Sequence, residues 1–324
     1  AAANAALGAY GSAIELVEGA PGTPTGTLAE LRQAIDAGQV KTLVSLTPSN
    51  LLFDAPDAEG LEKLLVEKKV ALIHHGLSVN RTARAAALHI PAAHYLEAWS
   101  DVRAADGTYS VVQPMIQPLY DGVSEIEMVL ALLGQMRLSA PPAPKEGEAP
   151  VVETDPAYEA VRATFGRVAG GMNEEKWNFT LRDGFLKGSA YPVAQAVVNA
   201  SALTSLVGAA KVAPPPESSA MEVVLVPASH VWDGRYIGNA WLQEAPDPVT
   251  KLTWDNAAQI GSRTFRDLGL TQGRMIKVSV GDQELTLPAL EAPGHVSNSI
   301  TIPLGYGQRE MGYVASAQSN SSEG

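Results

Sequence analysis

Apolar positions in the first 137 residues fall into short strand-like runs alternating with stretches of helical spacing. Residues 41–46 (KTLVSL) and 70–74 (VALIH) read as buried strands, and residues 14–17 as a shorter one. Residues 27–37 place Leu28, Leu31 and Ile35 at helical spacing, with Thr27 and Glu30 as a capping box. Residues 57–68 predict a second amphipathic helix, and 125–136 (EIEMVLALLGQM) a strongly apolar one that closes the region. The alanine-rich start, 1–7, also prefers helix and is stopped at Gly8 and Gly11. Such alternation predicts an α/β fold with a parallel sheet covered on both faces. Its ligand crevice would lie beyond the carboxyl ends of the strands, at the turns 47–50 and 74–78.

From residue 138 to 155 the composition turns to Pro, Ala, Glu and Lys, as in a solvated linker or surface excursion. Residues 158–165 and 174–188 read as helices, with Trp177, Phe179, Leu181 and Phe185 packing inward. A helical or mixed stretch at 190–210 is broken by APPPESS at 213–219. Beyond it, strand patterns at 221–226, 275–280, 283–287 and 299–303 are separated by glycine turns, Gly281-Asp282 among them. Regularly spaced short strands predict a small barrel or double-psi-like β domain. The implied division is an α/β domain at 1–137, a linker and helical segment at 138–220, and a β-barrel-type domain with a leading loop at 221–324.

The stretch 89–120 stands apart. Pro91, Pro114 and Pro118 forbid a continuous helix, so it is expected to be an ordered, irregular loop rich in polar groups. Two readings stay open, a functional loop on a rigid scaffold or a structural connection whose charges satisfy its own backbone. The segments Trp232-Asp233-Gly234-Arg235 and 241–254 are open in the same way, between a partner surface and a loop packed on the core.

Charge and composition remove several function classes. The formal net charge of -12 disfavours nucleic acid and anionic membrane surfaces as partners, and no apolar run is long enough to span a bilayer. The absence of Cys excludes disulfides, thiolate catalysis and Cys-ligated clusters from this stretch. His74 and His75, adjacent on a strand, point to opposite faces, and a hydrogen-bonded structural role outweighs a metal site with His89 or His94. No GxGxxG or P-loop motif follows a strand. The opening AAANAALGAYGSAIEL lacks a signal-peptide pattern and reads as a chain entered in mid-domain, and SAQSNSSEG as a polar tail.

Residues 241–280 (WLQEAPDPVTKLTWDNAAQIGSRTFRDLGLTQGRMIKVSV), followed by LTLPALEAPGHVSNSITIPLGYG, carry an Asn256, a Leu268-Gly269-Leu270 turn with Gly273, Pro293-Gly294 and Gly305-Tyr306-Gly307. This pattern resembles the C-terminal β domain of molybdopterin-dinucleotide oxidoreductases. With HYLEAWSDVRAADGTYSVVQPMIQPLYDG and the strand leading to LTPSN, the chain resembles more narrowly the large peripheral subunit of alternative complex III, a membrane-bound quinol-oxidising complex. The resemblance implies a molybdopterin-oxidoreductase-type α/β domain that holds no molybdenum cofactor and no catalytic residue. It implies iron–sulfur clusters in a ferredoxin-like part of the subunit outside this stretch and haem in partner subunits. Those partners would be integral membrane quinol-oxidising subunits and multihaem and monohaem cytochromes c, at the periplasmic face of the bacterial inner membrane. By analogy Asn50, His94, Gln113 and Asn256 line the vestigial cofactor groove, each with an alternative role in capping and loop hydrogen bonds. Two other functions stay open. One is the catalytic subunit of a true molybdenum or tungsten bis-pterin oxidoreductase, the other an isolated small-molecule binding protein.

Overall fold

The computed structural model of the chain describes residues 2–19, 25–46, 50–136, 155–194, 199–211, 214–308, 312, 314 and 315. The helices are α1 (Ala2–Ala6), α2 (Leu28–Asp36), α3 (Leu51–Asp54), α4 (Ala58–Glu67), α5 (Arg81–Ala85), α6 (Glu125–Leu132), α7 (Pro156–Val168), α8 (Glu174–Asp183), α9 (Ala200–Ala209), α10 (Ala240–Glu244) and α11 (Ser262–Asp267). The strands are β1 (Thr42–Ser45), β2 (Ala71–Gly76), β3 (Leu88–Pro91), β4 (Ser100–Arg103), β5 (Tyr109–Val112), β6 (Glu222–Val226), β7 (Ala258–Ile260), β8 (Met275–Val280), β9 (Gln283–Glu291) and β10 (Ser299–Pro303). They group into two units, each drawn from two separate stretches: 1–31 with 90–211, and 32–89 with 212–324. The expected boundaries at 137 and 220 cut the chain into consecutive pieces, whereas these units interleave. The expected linker and polar tail, and the turn residues 47–49, lie outside the described residues.

The first unit is built on a hairpin that the sequence reading treats as irregular. Within 89–120, β4 pairs antiparallel with β5 from Ser100↔Val112 to Arg103↔Tyr109. The three prolines exclude helix, yet they stand outside these two strands and leave every ladder donor in place. Residues 14–17, expected as a strand, form only isolated bridges, Tyr10↔Ile14 and Val17↔Val193. α7 starts at the Asp155 cap with Pro156 in its first turn, and buries Ala157, Val161 and Phe165 one turn apart. α8 is capped by Asn173 and ends at Gly184, whose φ of +80° lets the chain turn away from the helix.

Trp177 of α8, 2% exposed, packs edge-on against Phe165 at 5.0 Å between ring centroids. Tyr109, Val111 and Val161 complete this core. The Tyr109 hydroxyl donates to Asp101 Oδ2 at 2.8 Å, and burial followed by this bond pushes its phenol pKa far up. Of the four residues expected to pack inward, Trp177 is buried and Leu181 lies against the core, but Phe179 and Phe185 are 46% and 40% exposed. The helix turns Phe179 outward, two positions on from Trp177, and Phe185 follows the turn at Gly184.

The second unit holds two sheets. β1 and β2 pair in parallel from Thr42↔Ala71 to Ser45↔His74, with β3 beyond β2. His74 and His75 point to opposite faces of β2 and are 1% and 0% exposed, so both faces are covered. His74 Nδ1 lies 2.9 Å from His89 Nδ1 with the rings stacked, so one of these nitrogens carries a proton and the other accepts it. The expected capping box at α2 is present, with Glu30 N–H donating to Thr27 Oγ1 at 3.2 Å and Thr27 N–H to Glu30 Oε2 at 2.6 Å.

The other sheet has five strands in the order β6-β10-β7-β9-β8. β6 is parallel to β10 and β7 to β9, while β10–β7 and β8–β9 are antiparallel. Its core packs Ile260, Phe265, Val278, Leu287, Ile300 and Ile302 together. Gly281-Asp282 closes the β8–β9 hairpin, Gly281 taking a φ of +59° that suits the first loop position. β9 runs past the expected end at 287 because Ala289 and Leu290 continue the buried edge. Among the described residues no β6–β8 pairing closes this sheet into a barrel, and no helix is long and apolar enough to cross a membrane.

Replacing Trp177 with Ala is expected to lower the unfolding free energy by about 3–5 kcal/mol, through lost burial and the cavity left behind. Denaturant unfolding checks this, and a loss below about 1 kcal/mol would remove Trp177 from the core that holds the first unit.

Candidate functional site

Parallel pairing of β6 and β10 makes both strands leave the five-stranded sheet at the same end. The segments that follow, 227–237 and 304–308, must therefore share that space. Leu304 N–H donates to Val226 O at 2.7 Å, and Ala228 and Trp232 bridge each other across a tight loop. Gly234 and Gly305 then pass backbone to backbone. A Cβ on Gly234 would lie 2.7 Å from Gly305 O, and one on Gly305 would lie 2.7 Å from Gly234 N. Both also have positive φ, +99° and +103°, so only glycine satisfies the approach and the backbone angle together.

The crossing brings His230 onto Tyr306. Tyr306 OH lies 2.5 Å from His230 Nε2, His230 Nδ1 lies 3.3 Å from Ser229 Oγ, and Ser229 Oγ donates to Asp247 Oδ2 at 2.7 Å. Because the serine hydrogen goes to Asp247, His230 Nδ1 must donate to the serine oxygen, and in a neutral imidazole Nε2 then accepts from the phenol. The chain of donors thus runs Tyr306, His230, Ser229, Asp247. A nucleophilic serine needs the opposite order, with serine donating to an imidazole that donates to the carboxylate, so Ser229 is not activated for attack. Asp247 also accepts from the Thr250 hydroxyl and from the N–H groups of Val249 and Thr250. Burial opposes its ionisation, but the bonds from Ser229, Thr250 and Val249 together hold its carboxyl at about 2. Burial, then the charges of Asp255 and Asp247, push the Tyr306 phenol up to about 12.

A cavity of about 380 Å³ opens beside this chain, lined by Ser229, His230, Trp232, Arg235, Tyr236 and Leu242. Trp232 is 53% exposed and held at a φ of +58°, a costly angle for a bulky side chain. Arg235 is paired in a two-bond fork to Asp233, at 2.9 and 2.7 Å, which holds the carboxyl below its usual range. The site can orient a polar ligand against aromatic walls beside one hydrogen-bonded line.

The four groove candidates divide between the units. Asn50 is buried, its Oδ1 accepting from the Thr82 hydroxyl at 2.8 Å and its Nδ2 donating to Gln308 Oε1 at 3.2 Å. Asn50 N–H donates to Asp54, whose half-buried carboxyl is raised by burial despite that bond. Asn256 Nδ2 donates to Pro303 O at 2.8 Å, while its Oδ1 is enclosed without a partner. Asn50 and Asn256 thus both grip the 303–308 segment. In the first unit, His94 Nδ1 accepts from Leu96 N–H at 3.3 Å, and Gln113 Nε2 donates to Leu181 O at 2.8 Å. His230, Ser229, Asp247 and Gln308 escaped the sequence reading, and Tyr306 entered it only within a glycine-rich strand end. Among the described residues no group of three or more His, Cys, Asp or Glu could hold a metal ion.

No protein-family model and no curated protein matches this sequence. Among solved structures, acetylene hydratase from Pelobacter acetylenicus is similar over 89% of this chain and 41% of its own, with a TM-score of 0.57 and 16% sequence identity. The chain therefore spans less than half the length of that enzyme, and at this identity the likeness is one of fold. It supports a molybdopterin-oxidoreductase-like fold for this chain.

A dinucleotide cofactor of that fold needs polar groups free to face it. The nominated residues fit one only in part: both ends of Asn50 and the donor ends of Gln113 and Asn256 serve the chain's own backbone and side chains, while Asn256 Oδ1 is enclosed without a partner.

Two outcomes follow. Asn50→Leu is expected to destabilise the fold by about 1–3 kcal/mol for each buried group it leaves unbonded, Thr82 and Gln308 first; denaturant melts measure it, and a neutral change would remove Asn50 from the network. Tyr306 is expected to titrate near 12 rather than 10. The folded state then holds a proton the unfolded state has lost, so stability falls as pH rises from 10 to 12. Phenolate absorbance of wild type against Tyr306→Phe tests it, and a Tyr306 midpoint at 10 would exclude the buried relay.

Proposed function

We propose that this chain is the molybdopterin-oxidoreductase-like scaffold and docking region of a quinol-oxidising electron-transfer complex of the alternative complex III kind. It holds no pterin and positions an iron–sulfur relay carried elsewhere in its subunit. The five-stranded sheet is read as the double-psi-like β domain of that fold. Integral membrane quinol-oxidising subunits and multihaem and monohaem cytochromes c are its partners, at the periplasmic face of the inner membrane. The observation that carries this reading is Asn50, both ends of whose buried amide bond within the protein, to Thr82 and to Gln308. Resemblance to the peripheral subunit in residues 94–107 and 241–256 supplies the narrower assignment.

A second reading takes the chain as a fragment of the catalytic subunit of a true molybdenum or tungsten bis-pterin oxidoreductase. The fold likeness to acetylene hydratase favours it, and so does Asn256 Oδ1, a buried acceptor still lacking a donor. Elemental analysis for molybdenum, tungsten and iron, with pterin fluorescence and haem spectra, separates the two readings on the native assembly. Iron and haem without pterin are expected; stoichiometric pterin with molybdenum or tungsten would overturn the scaffold reading.

A further inference from the structure

A second cavity, of about 450 Å³, lies wholly within the first unit and shares no residue with the site above. That volume is within the range of small-molecule sites. One face of α8 builds its wall, since Lys176, Phe179, Thr180 and Asp183 recur at helical spacing. After the turn at Gly184, Phe185 and Lys187 join the same lining.

The polar inventory of this cavity is one-sided. The Thr180 hydroxyl donates to Lys176 O at 2.8 Å and the Ser189 hydroxyl to Leu186 O at 2.6 Å, so both hydrogens serve the backbone. Arg182 Nε donates to Asp183 Oδ1 at 2.8 Å, and Lys187 stands 3.1 Å from Asp183 Oδ2. These bonds hold the Asp183 carboxyl at about 2, so it is ionised at neutral pH. Three cations thus face a single carboxylate, and Lys176 has no carboxylate partner among the described residues. On a chain of net charge -12 this is a local reversal of sign.

Helix stability accounts for only part of it. Arg182 lies in the last turn of α8 and Lys187 just beyond it, where positive charge is favoured, but Lys176 sits in the first turn, where it is not. Nor does stability account for Phe179 and Phe185, two large phenyl rings left open on one cavity. The Arg182 guanidinium already covers one edge of this aromatic surface, 4.8 Å from the centroid of the Phe179 ring.

The geometry points to a binding site for a small planar aromatic carboxylate, its ring against Phe179 and Phe185 and its anionic group toward Lys176 and Lys187. The aromatic walls supply the apolar contact and the surplus cations select the sign of the charge. This holds whether or not the chain carries a pterin, because none of Asn50, His94, Gln113 and Asn256 lines this cavity.

Calorimetric titration of the intact chain with 2-naphthoate at low ionic strength tests it. Saturable binding with Kd below about 1 mM is expected, weakened about tenfold or more by Phe179→Ala and by Lys176→Glu, and weakened by added salt. Both side chains are exposed, so the fold should survive; Lys187→Glu, outside the helix, gives the same reading if either variant melts early. Absence of saturable binding, equal affinity for 2-naphthylmethylammonium, or affinity indifferent to all three substitutions would overturn the assignment.

Discussion

Where β6 and β10 run side by side and leave their sheet together, the backbones of Gly234 and Gly305 occupy space that no side chain could enter. Everything distinctive in the second unit hangs from that approach. On one side of it Gln308 reaches Asn50, which in turn holds Thr82 and, through it, the N–H of Leu52 at 2.9 Å. On the other side Tyr306 reaches His230, and Asp233 pairs with Arg235. A methyl group at either glycine would force two loops apart and break both arms at once. The parallel register of two strands 77 residues apart, Ser299↔Glu222, thereby fixes side chains that neither loop could place alone.

The polarity of the Tyr306–His230–Ser229–Asp247 line follows from its far end. Asp247 is an acceptor only, saturated by hydroxyl and amide donors, so each group before it must donate toward it. With a neutral imidazole the phenol is then the last donor and the nitrogen facing it an acceptor. Two of these groups resist ionisation changes in opposite senses, the carboxyl held low and the phenol held high. With Asp247 ionised and Tyr306 protonated, both ends of the line are fixed near neutral pH, which suits a rigid loop junction.

Elements whose signal is local were legible. β1, β2, β8 and β10, the Thr27–Glu30 box and the Gly281-Asp282 turn follow from spacing within a few residues. The hairpin of β4 and β5 was hidden because its strands are four residues each and the prolines around them dominate the pattern. Phe179 was misplaced because an inward helix face is chosen by the tertiary partner, here Phe165 meeting Trp177, and hydrophobicity alone does not say which aromatic wins. The relay was out of reach altogether, since His230 and Tyr306 meet only through the pairing of two strands whose order in the sheet no local pattern encodes.

The groove residues carry the sharpest argument about what the fold is for. Asn50 and Asn256 were singled out for a place facing a cofactor, and both instead hold the 303–308 segment, one by Gln308 and one by Pro303 O. A site evolved to grip a dinucleotide keeps its amides free or bonds them through one end, leaving the other for the ligand. Asn50 has both ends engaged, and its burial makes each bond costly to exchange. Asn256 keeps one enclosed oxygen unbonded, at a cost that a protein rarely sustains without a use for it. The two asparagines therefore pull in different directions: moving Asn50 would strand Thr82 and Gln308, while a single donor would satisfy Asn256.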